Sequence, residues 1–478
     1  MSLSLPADDI QSLMNELQEA NQRFKLTYPG DRVDRQPVHT LYGGAQLFKA
    51  GLHRKLGQLA IRSLNTYAPN FAVFAKATGM PGSETLPSDA ASINILQEEL
   101  ASNPEGVRRT HEAAWRAHVI YQRVLEKLER EPVEELRVDF EDGYGNRVDD
   151  EEDGHAQNAA EQMAKSMAEN DLPPFIGIRI KPFTEESRAR SLRTLDLFLT
   201  NLVKNAGPTL PENFVVTLPK VTIPEQVSVL SRILDTLEEK LGLPHQSIGL
   251  DLMIEMTQAI INDRGENTVY QLVQAGHGRV RYAAFGTYDY TATCNITAAF
   301  QSHTHPASDF ARHVMQVSLA GTGVAISDGA TTTMPIGPHR APKGESLNAT
   351  QMAENQAAVA SAWKLHFNNI SHSLAHGYYQ GWDLNPAQLP VRYAAVYNFF
   401  LQGLDDASLR LKAFLDRAAQ ATLVGNTFDD AATGQGLLNF FLRGLACGAL
   451  TEAEVIETGI TLEELRSRSF LAIVANRM

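Results

Sequence analysis

Short strand-like segments alternate with amphipathic helical segments along most of the 478-residue chain, and this alternation limits the fold more than any other feature. Several strand-like segments are nearly continuous apolar runs, which are typical of parallel strands covered on both faces. Eight such units predict an α/β fold, a (β/α)8 TIM barrel. The alternative is a Rossmann-like open sheet, but no GxGxxG turn follows a strand. The predicted strands are Pro37–Gly43, Leu136–Asp142, Phe175–Lys181, Phe214–Lys220, Ile248–Glu255, Tyr282–Asp289, Gly323–Asp328 and Tyr378–Leu384.

The chain divides into a helical N-terminal segment (1–35), a barrel domain (36–390) and a C-terminal helical extension (391–478). An insertion at about 65–131 follows the first strand, and no strand is predicted beyond Pro390. Leucines spaced three and four positions apart predict amphipathic helices. The predicted helices are Pro104–Arg130, Ser187–Asn205, Pro224–Leu241, Thr257–Ala275, Pro306–Ala320, Asn355–His376, Arg392–Gly403, Ala407–Ala421 and Thr461–Val474.

Charge and cysteine content narrow the class of protein. The formal net charge of −14 argues against nucleic acid or an anionic membrane surface as the main partner. Cys294 and Cys447 do not suffice for a disulfide framework, which favours a reducing compartment. The N-terminus lacks the features of a secretory signal, and no apolar run approaches the length needed to span a bilayer. We therefore expect a soluble, cytoplasmic protein.

Five of the predicted strands end in ionisable side chains, and barrel enzymes carry their chemistry at those strand ends. Glu255 and Asp289 end adjacent strands, and two carboxylates with room for water and substrate oxygens suit Mg²⁺ or Mn²⁺. An arginine beside a metal ion stabilises negative charge that develops on an oxygen, as enolate chemistry requires. The other ionisable residues at these ends are Asp139, Glu141, Asp142, Arg179, Lys181 and Lys220.

Other polar residues have ordinary interpretations. His303 and His305, in the sequence HTHP, are spaced like a pair of metal ligands, but a solvent-exposed loop is the expected setting. Lys220 is a candidate for a Schiff base, although a charge-balancing role is favoured beside a metal site. Asp383, in the last predicted strand, is a candidate general base.

Five motifs, in this order, resemble the HpcH/HpaI aldolase and citrate lyase β-subunit family of the phosphoenolpyruvate/pyruvate barrel superfamily. They are LRVDFEDGYG, GIRIKP, VVTLPKV, LDLMIEMTQAI and AAFGTYDYT, and the resemblance covers roughly residues 36–390. It implies that Glu255 and Asp289 bind the metal and that Arg179 binds the substrate's carboxylate or oxo group. Glu141 and Asp142 match the family's acidic pair near the metal. The resemblance also implies a catalytic position for His39, substrate contacts by Gly286 and Thr287, and a homo-oligomer.

These features predict a metal-dependent carbon–carbon lyase or aldolase that acts on an oxo acid or an acyl-CoA thioester through an enolate. One alternative is an enzyme that transfers the phosphoryl group of phosphoenolpyruvate, because FGTYDYT also resembles a strand of such barrels. A second alternative is a barrel that has lost catalysis and serves as a binding module. Asn385 supports it, since it replaces the histidine of the family's HPxQ segment.

Overall fold

Eight parallel strands form the predicted barrel in the computed structural model, which describes residues 7–30, 32, 34–342, 344–416, 422–424, 427–429 and 431–477. Each strand lies within or close to its predicted segment, and most begin or end a few residues inside it. The barrel strands are β1 (His39–Gly44), β2 (Glu135–Asp139), β3 (Phe175–Arg179), β4 (Val215–Leu218), β5 (Gly249–Ile254), β6 (Val280–Phe285), β7 (Ala325–Ser327) and β8 (Gly381–Asp383).

The strands pair in the order β7-β6-β5-β4-β3-β2-β1-β8, and every pair is parallel. β7 and β8 complete the ring through a parallel bridge between Ala330 and Trp382. A backbone hydrogen bond of 2.8 Å from Asp328 N to Gln380 O supports the same closure. The carboxyl ends of all eight strands therefore meet at one mouth of the barrel.

Helices surround the barrel and extend it. Helix α9 illustrates how local sequence sets the ends of a helix. Pro224 lies in its first turn, and Gly242 ends it with a positive φ of 67°. The helices are α1 (Ala7–Thr27), α2 (Leu52–Tyr67), α3 (Phe71–Thr78), α4 (Ala90–Ser102), α5 (Pro104–Thr110), α6 (Glu112–Arg130), α7 (Asp149–Ala168), α8 (Arg188–Ala206), α9 (Pro224–Leu241), α10 (Thr257–Ile260), α11 (Val269–Ala275), α12 (Thr287–Thr293), α13 (Pro306–Leu319), α14 (Ala349–Ala375), α15 (Leu389–Asp416), α16 (Ala431–Ala446), α17 (Glu452–Ile456), α18 (Leu462–Arg466) and α19 (Phe470–Arg477).

Several predicted helices differ from the observed ones. The segment predicted as one helix over Thr257–Ala275 contains α10, a turn and α11. The Asn262 side chain accepts hydrogen bonds from the backbone N–H groups of Arg264 and Glu266, at 3.0 and 2.9 Å, and so stabilises the turn. Pro104–Arg130 likewise divides into α5 and α6.

The C-terminal extension also departs from the prediction. α15 runs without interruption where two helices were expected, and the last part of predicted helix Ala407–Ala421 lies outside the described residues. Thr461–Val474 divides into α18 and the start of α19. A short antiparallel hairpin of β9 (Thr422–Val424) and β10 (Thr427–Asp429) lies beyond Pro390, where no strand was predicted.

The interior of the barrel is polar at alternate positions, although the strands read as apolar in sequence. Arg137 reaches across to Thr217, two strands away, with its Nε 3.2 Å from the Thr217 Oγ1. It also forms an ion pair of 2.6 Å with Glu135, and Thr217 donates a 2.8 Å hydrogen bond to Asp251. Since side chains alternate along a strand, the apolar neighbours of these residues face the helices.

The C-terminal helices cover the end of the barrel where the strands begin. Arg443 of α16 donates a 2.9 Å hydrogen bond to Gln36, which precedes β1. Its guanidinium carbon also lies 5.3 Å from the ring centroid of Tyr379, which precedes β8. The open mouth is therefore the end where the strands finish. Among the described residues, no helix has both the length and the apolar character needed to cross a bilayer.

Candidate active site

Ionisable side chains from β2 to β6 meet at the open mouth, as the sequence predicts. Glu141 and Asp142 lie just after β2, Arg179 ends β3, and Lys220 follows β4. Glu255 is the first residue after β5, and Asp289 is in the first turn of α12 after β6. The ends of five adjacent strands thus contribute to one cluster, which we call the mouth cluster: Glu141, Asp142, Arg179, Lys220, Glu255 and Asp289.

Arg179 is held by Asp139 in a two-point ion pair. The Nε–Oδ1 distance is 2.7 Å and the Nη2–Oδ2 distance is 2.5 Å, while Nη1 lies 3.3 Å from Glu141 Oε2. The guanidinium carbon also lies 4.6 Å from the ring centroid of Tyr42. Burial opposes the charge on Arg179, but Asp139 and Glu141 outweigh it and raise its pKa. Arg179 is therefore a fixed cation whose Nη1 edge faces the mouth cluster.

Asp139 orients both Arg179 and the backbone that follows β2. Besides holding Arg179, it accepts backbone hydrogen bonds from Glu141 at 2.9 Å and Gly143 at 2.8 Å. A Cβ at position 143 would lie 2.5 Å from Asp139 Oδ2, so this close approach requires glycine. The spacing of Asp139 and Gly143 in VDFEDG is the sequence signal for this turn.

Lys220 lies among the carboxylates. Its Nζ is 2.5 Å from Glu141 Oε1, 3.1 Å from Asp142 Oδ2 and 3.7 Å from Asp289 Oδ1. Burial opposes its charge, but Glu255 and Glu141 outweigh burial and raise the pKa of the ammonium. A protonated amine has no lone pair for a Schiff base, so the geometry favours the charge-balancing role.

Glu255 is the most deeply buried acid of the mouth cluster, with 1% of its surface exposed. Its Oε1 accepts a 2.8 Å hydrogen bond from the backbone N–H of Lys220. Burial, with smaller contributions from Asp289 and Glu141, raises the pKa of Glu255 to about 8 against the opposing effect of Lys220. A Cβ at position 286 would lie 2.4 Å from Glu255 Cβ, so Gly286 makes room for this carboxylate.

The donor set of the mouth cluster fits a hard divalent cation. Four carboxylates of the cluster, together with Asp139, surround only two cationic side chains, so negative charge is in excess. Within the part of the chain that the structure describes, three ligand atoms do not converge within 4.8 Å here. Mg²⁺ commonly takes one or two carboxylates and completes its shell with water and substrate, so Glu255 and Asp289 would suffice to hold it.

Thr287 lies beside this pair and is 2% exposed. Its Oγ1 has no hydrogen-bond partner among the described residues. A Cβ at position 329 would lie 2.1 Å from this oxygen, so Gly329 lets the loop after β7 approach Thr287 closely. Gly286 and Thr287 therefore adjoin the mouth cluster, as expected for residues that line a substrate site.

The structure does not bring His39 to the mouth cluster, which corrects the expectation for this residue. His39 is the first residue of β1, at the opposite end of the strand, and its ring packs edge-on against Tyr393 of α15. Its Nε2 accepts a 3.2 Å hydrogen bond from the backbone N–H of Glu134. His39 alternates with Thr40 and Tyr42, which face inward, so its side chain points outward to the helices.

Asp383 and His303 lie outside the mouth cluster and contact other buried side chains. Asp383 faces Arg392 of α15, with an Oδ1–Nη2 distance of 2.9 Å, and His366 of α14 at 3.0 Å. His303 is 4% exposed, so a solvent-exposed loop is the wrong setting for it. Its Nε2 lies 3.0 Å from Ser373 Oγ and 3.2 Å from Asp328 Oδ2.

The barrel resembles solved structures at low sequence identity. A citrate lyase from Burkholderia xenovorans LB400 matches with a TM-score of 0.50 and 18% identity, over 71% of this chain and 92% of that chain. CitE from Mycobacterium tuberculosis, in complex with magnesium, acetoacetate and coenzyme A, has a TM-score of 0.40 and 15% identity over 66% and 91%. A malate synthase from Haloferax volcanii has a TM-score of 0.38 and 16% identity over 72% and 88%. The first likeness establishes a shared fold.

Sequence comparison assigns the chain to a family. No curated protein matches the sequence. The family model described as a domain of unknown function, DUF6986, matches residues 17–473, which is nearly the whole chain. This protein therefore belongs to the DUF6986 family.

Proposed function

We propose that this protein is a divalent-metal-dependent carbon–carbon lyase or aldolase whose substrate is an oxo acid or an acyl-CoA thioester. The observation that carries the proposal is the buried Glu255 beside Asp289, in a mouth cluster with excess carboxylates and a fixed arginine. The five motifs that resemble the HpcH/HpaI and citrate lyase β-subunit family support the same class of reaction. So does the fold shared with the citrate lyase from Burkholderia xenovorans.

Glu255 and Asp289 would hold Mg²⁺ or Mn²⁺, which supplies a Lewis acid for the oxygen that becomes negative in an enolate. The backbone N–H of Lys220 orients Glu255 through its 2.8 Å hydrogen bond. Gly286 leaves space for the carboxylate, since any Cβ there would collide with it. These contacts hold the ligand in place before substrate arrives, as a preorganised site requires.

Arg179 binds the substrate carboxylate or oxo group through its Nη1 edge in this proposal. Asp139 occupies Nε and Nη2 and so fixes the plane of the guanidinium. Nη1, which lies 3.3 Å from Glu141 Oε2 and 3.7 Å from Met253 Sδ, is the nitrogen that a substrate oxygen would contact. Lys220 keeps Glu141, Asp142 and Asp289 together and offsets their repulsion. Burial raises the pKa of Glu141 against the opposing effects of Arg179 and Lys220, and we assign Glu141 to proton transfer.

The proposal is tested with a panel of oxo acids and acyl-CoA thioesters, with Mg²⁺ or Mn²⁺ present. Wild type is expected to release product from at least one member, and chelation is expected to abolish turnover. Glu255→Gln is expected to lower kcat by at least about a hundredfold while circular dichroism stays unchanged, because the ligand charge is lost and the side-chain volume is kept. Glu239→Gln, an exposed position on α9, is the matched control and should behave as wild type.

Full activity of Glu255→Gln in chelator would contradict this mechanism. Release of phosphate from phosphoenolpyruvate, without carbon–carbon cleavage, would point to the phosphoryl-transfer alternative. A panel with no turnover in any condition would favour the binding module.

A further inference from the structure

Two helices on the outer wall of the barrel carry a second group of ligand side chains, which we call the seam cluster. Asp309 and His313 are four residues apart on α13, and His372 and His376 are four residues apart at the end of α14. Residues at this spacing share one face of a helix. None of the four belongs to the mouth cluster.

The side chains of the seam cluster converge. His372 Nε2 lies 2.8 Å from Asp309 Oδ1, and the rings of His372 and His376 have centroids 4.2 Å apart. One ligand atom each from Asp309, His372 and His376 fit within 4.8 Å of one another. Ligands of a tetrahedral Zn²⁺ at its usual bond lengths are about 3.3 Å apart, so small side-chain rotations bring these atoms into range. The His313 ring lies farther out, with its centroid 5.6 Å from that of His376, and would need to rotate to supply a fourth ligand.

Hydrogen bonds orient the seam cluster as they orient metal ligands. His376 Nδ1 lies 2.8 Å from the backbone oxygen of His372, so Nδ1 carries the proton and Nε2 is the nitrogen left to bind an ion. Asp309 is oriented by Arg312, whose Nη1 is 2.8 Å from its Oδ1. Arg312 is fixed in turn by Asp328, at 2.7 Å.

We propose that Asp309, His372 and His376, joined by His313, bind a transition-metal ion of the zinc type. Imidazole nitrogens with one carboxylate favour Zn²⁺, Co²⁺ or Ni²⁺ over Mg²⁺, which prefers oxygen ligands. Such an ion would tie α13 to the end of α14. The partly exposed ligands leave the site accessible from solvent.

The test uses the full-length chain, stripped of metal, and Zn²⁺ alone as the probe in competition with a chromophoric chelator. Wild type and Glu255→Gln are expected to bind a zinc equivalent whose affinity falls at least tenfold in the double variant His372→Ala/His376→Ala. His277→Asn removes an exposed histidine that is not part of the seam cluster and is expected to bind as wild type does. Zinc is also expected to raise the Tm of wild type by more than that of the double variant, and to raise the Tm of Glu255→Gln.

If the double variant does not fold, the visible spectrum of bound Co²⁺ provides a second test of the proposal. Co²⁺ added to wild type and to Glu255→Gln is expected to give the intense visible absorption of a four-coordinate site with nitrogen ligands. The proposal is wrong if zinc binds equally to wild type and to a folded double variant, or if only Glu255→Gln loses it. A Co²⁺ spectrum typical of six oxygen ligands would also overturn it. These results are independent of any turnover at the mouth cluster.

Discussion

His39 shows how burial fixes the charge state of a single side chain. Its ring has no exposed surface, and burial lowers the pKa of His39 from 6.5 to about 4, against the opposing effects of Asp383 and Glu134. The folded protein therefore keeps the ring neutral at pH values where the unfolded chain protonates it. Folding stability from this group is present above pH 6.5 and is lost as the pH falls towards 4.

We expect His39→Gln to show a weaker acid dependence of stability than wild type. Between pH 6.5 and about 4, wild type should lose on the order of 3 kcal/mol more of its unfolding free energy. Urea unfolding, followed by circular dichroism at several pH values, measures the difference. His277→Asn, at an exposed histidine, should retain the slope of wild type. Parallel pH profiles for wild type and His39→Gln would show that His39 does not stay neutral in the fold.

The sequence predicts several residues at the barrel mouth but not the position of His39. Glu255, Asp289, Arg179 and Lys220 were identified because a charge at the end of an apolar strand needs a partner. His39 was misplaced, since a motif fixes the strand but only the register and the side-chain alternation decide which end and which face a residue occupies. The sequence gives no signal for the seam cluster, because Asp309 and His313 are far from His372 and His376 along the chain.

At the scale of elements, strand packing in the barrel depends on a few glycines. Gly177 of β3 pairs with Val215 of β4, and a Cβ at 177 would lie 2.1 Å from the Val215 backbone oxygen. Backbone in a neighbouring strand cannot rotate away as a side chain can. Gly43 of β1 has nothing within 4 Å of the corresponding point and offers a matched comparison.

We expect Gly177→Ala to destabilise the protein by about 3 kcal/mol or more, because β3 and β4 must separate to admit the methyl group. Gly43→Ala should change stability by less than about 0.5 kcal/mol, as at an open site. Urea midpoints by circular dichroism distinguish the two variants. Similar midpoints for both would mean that the β3–β4 pair is looser than the structure shows.

Strands were predicted more accurately than helix boundaries, and the difference has a physical basis. In a chain of alternating strands and helices, a short apolar run between turn residues is compatible with few structures other than a strand. All eight barrel strands were therefore located. Helix ends depend on side-chain hydrogen bonds such as those of Asn262, which apolar spacing does not encode. Gly403 was read as a helix end, yet α15 continues through it against Phe440 of α16.

At the scale of the whole molecule, the C-terminal helices continue the core of the barrel. One hydrophobic cluster includes barrel residues such as Val138 together with Phe414 of α15 and Phe470 of α19. The Phe414 and Phe470 ring centroids lie 4.7 Å apart. Arg123 of α6 donates a 2.7 Å hydrogen bond to the backbone oxygen of Ala449, which ties the insertion to the same helices. We therefore propose that barrel and extension unfold as one unit.

Phe414→Ala tests whether barrel and extension unfold together, because all three tryptophans lie outside the extension. They are Trp115, Trp363 and Trp382. Removing a ring that is fully buried costs about 3–5 kcal/mol. If barrel and extension are one unit, tryptophan fluorescence and far-ultraviolet circular dichroism should show the same lowered urea midpoint. Phe300→Ala, at a side chain that is 74% exposed, should leave the midpoint unchanged. If the extension folds separately, Phe414→Ala would instead leave the fluorescence midpoint at the wild-type value, while circular dichroism would show an earlier transition.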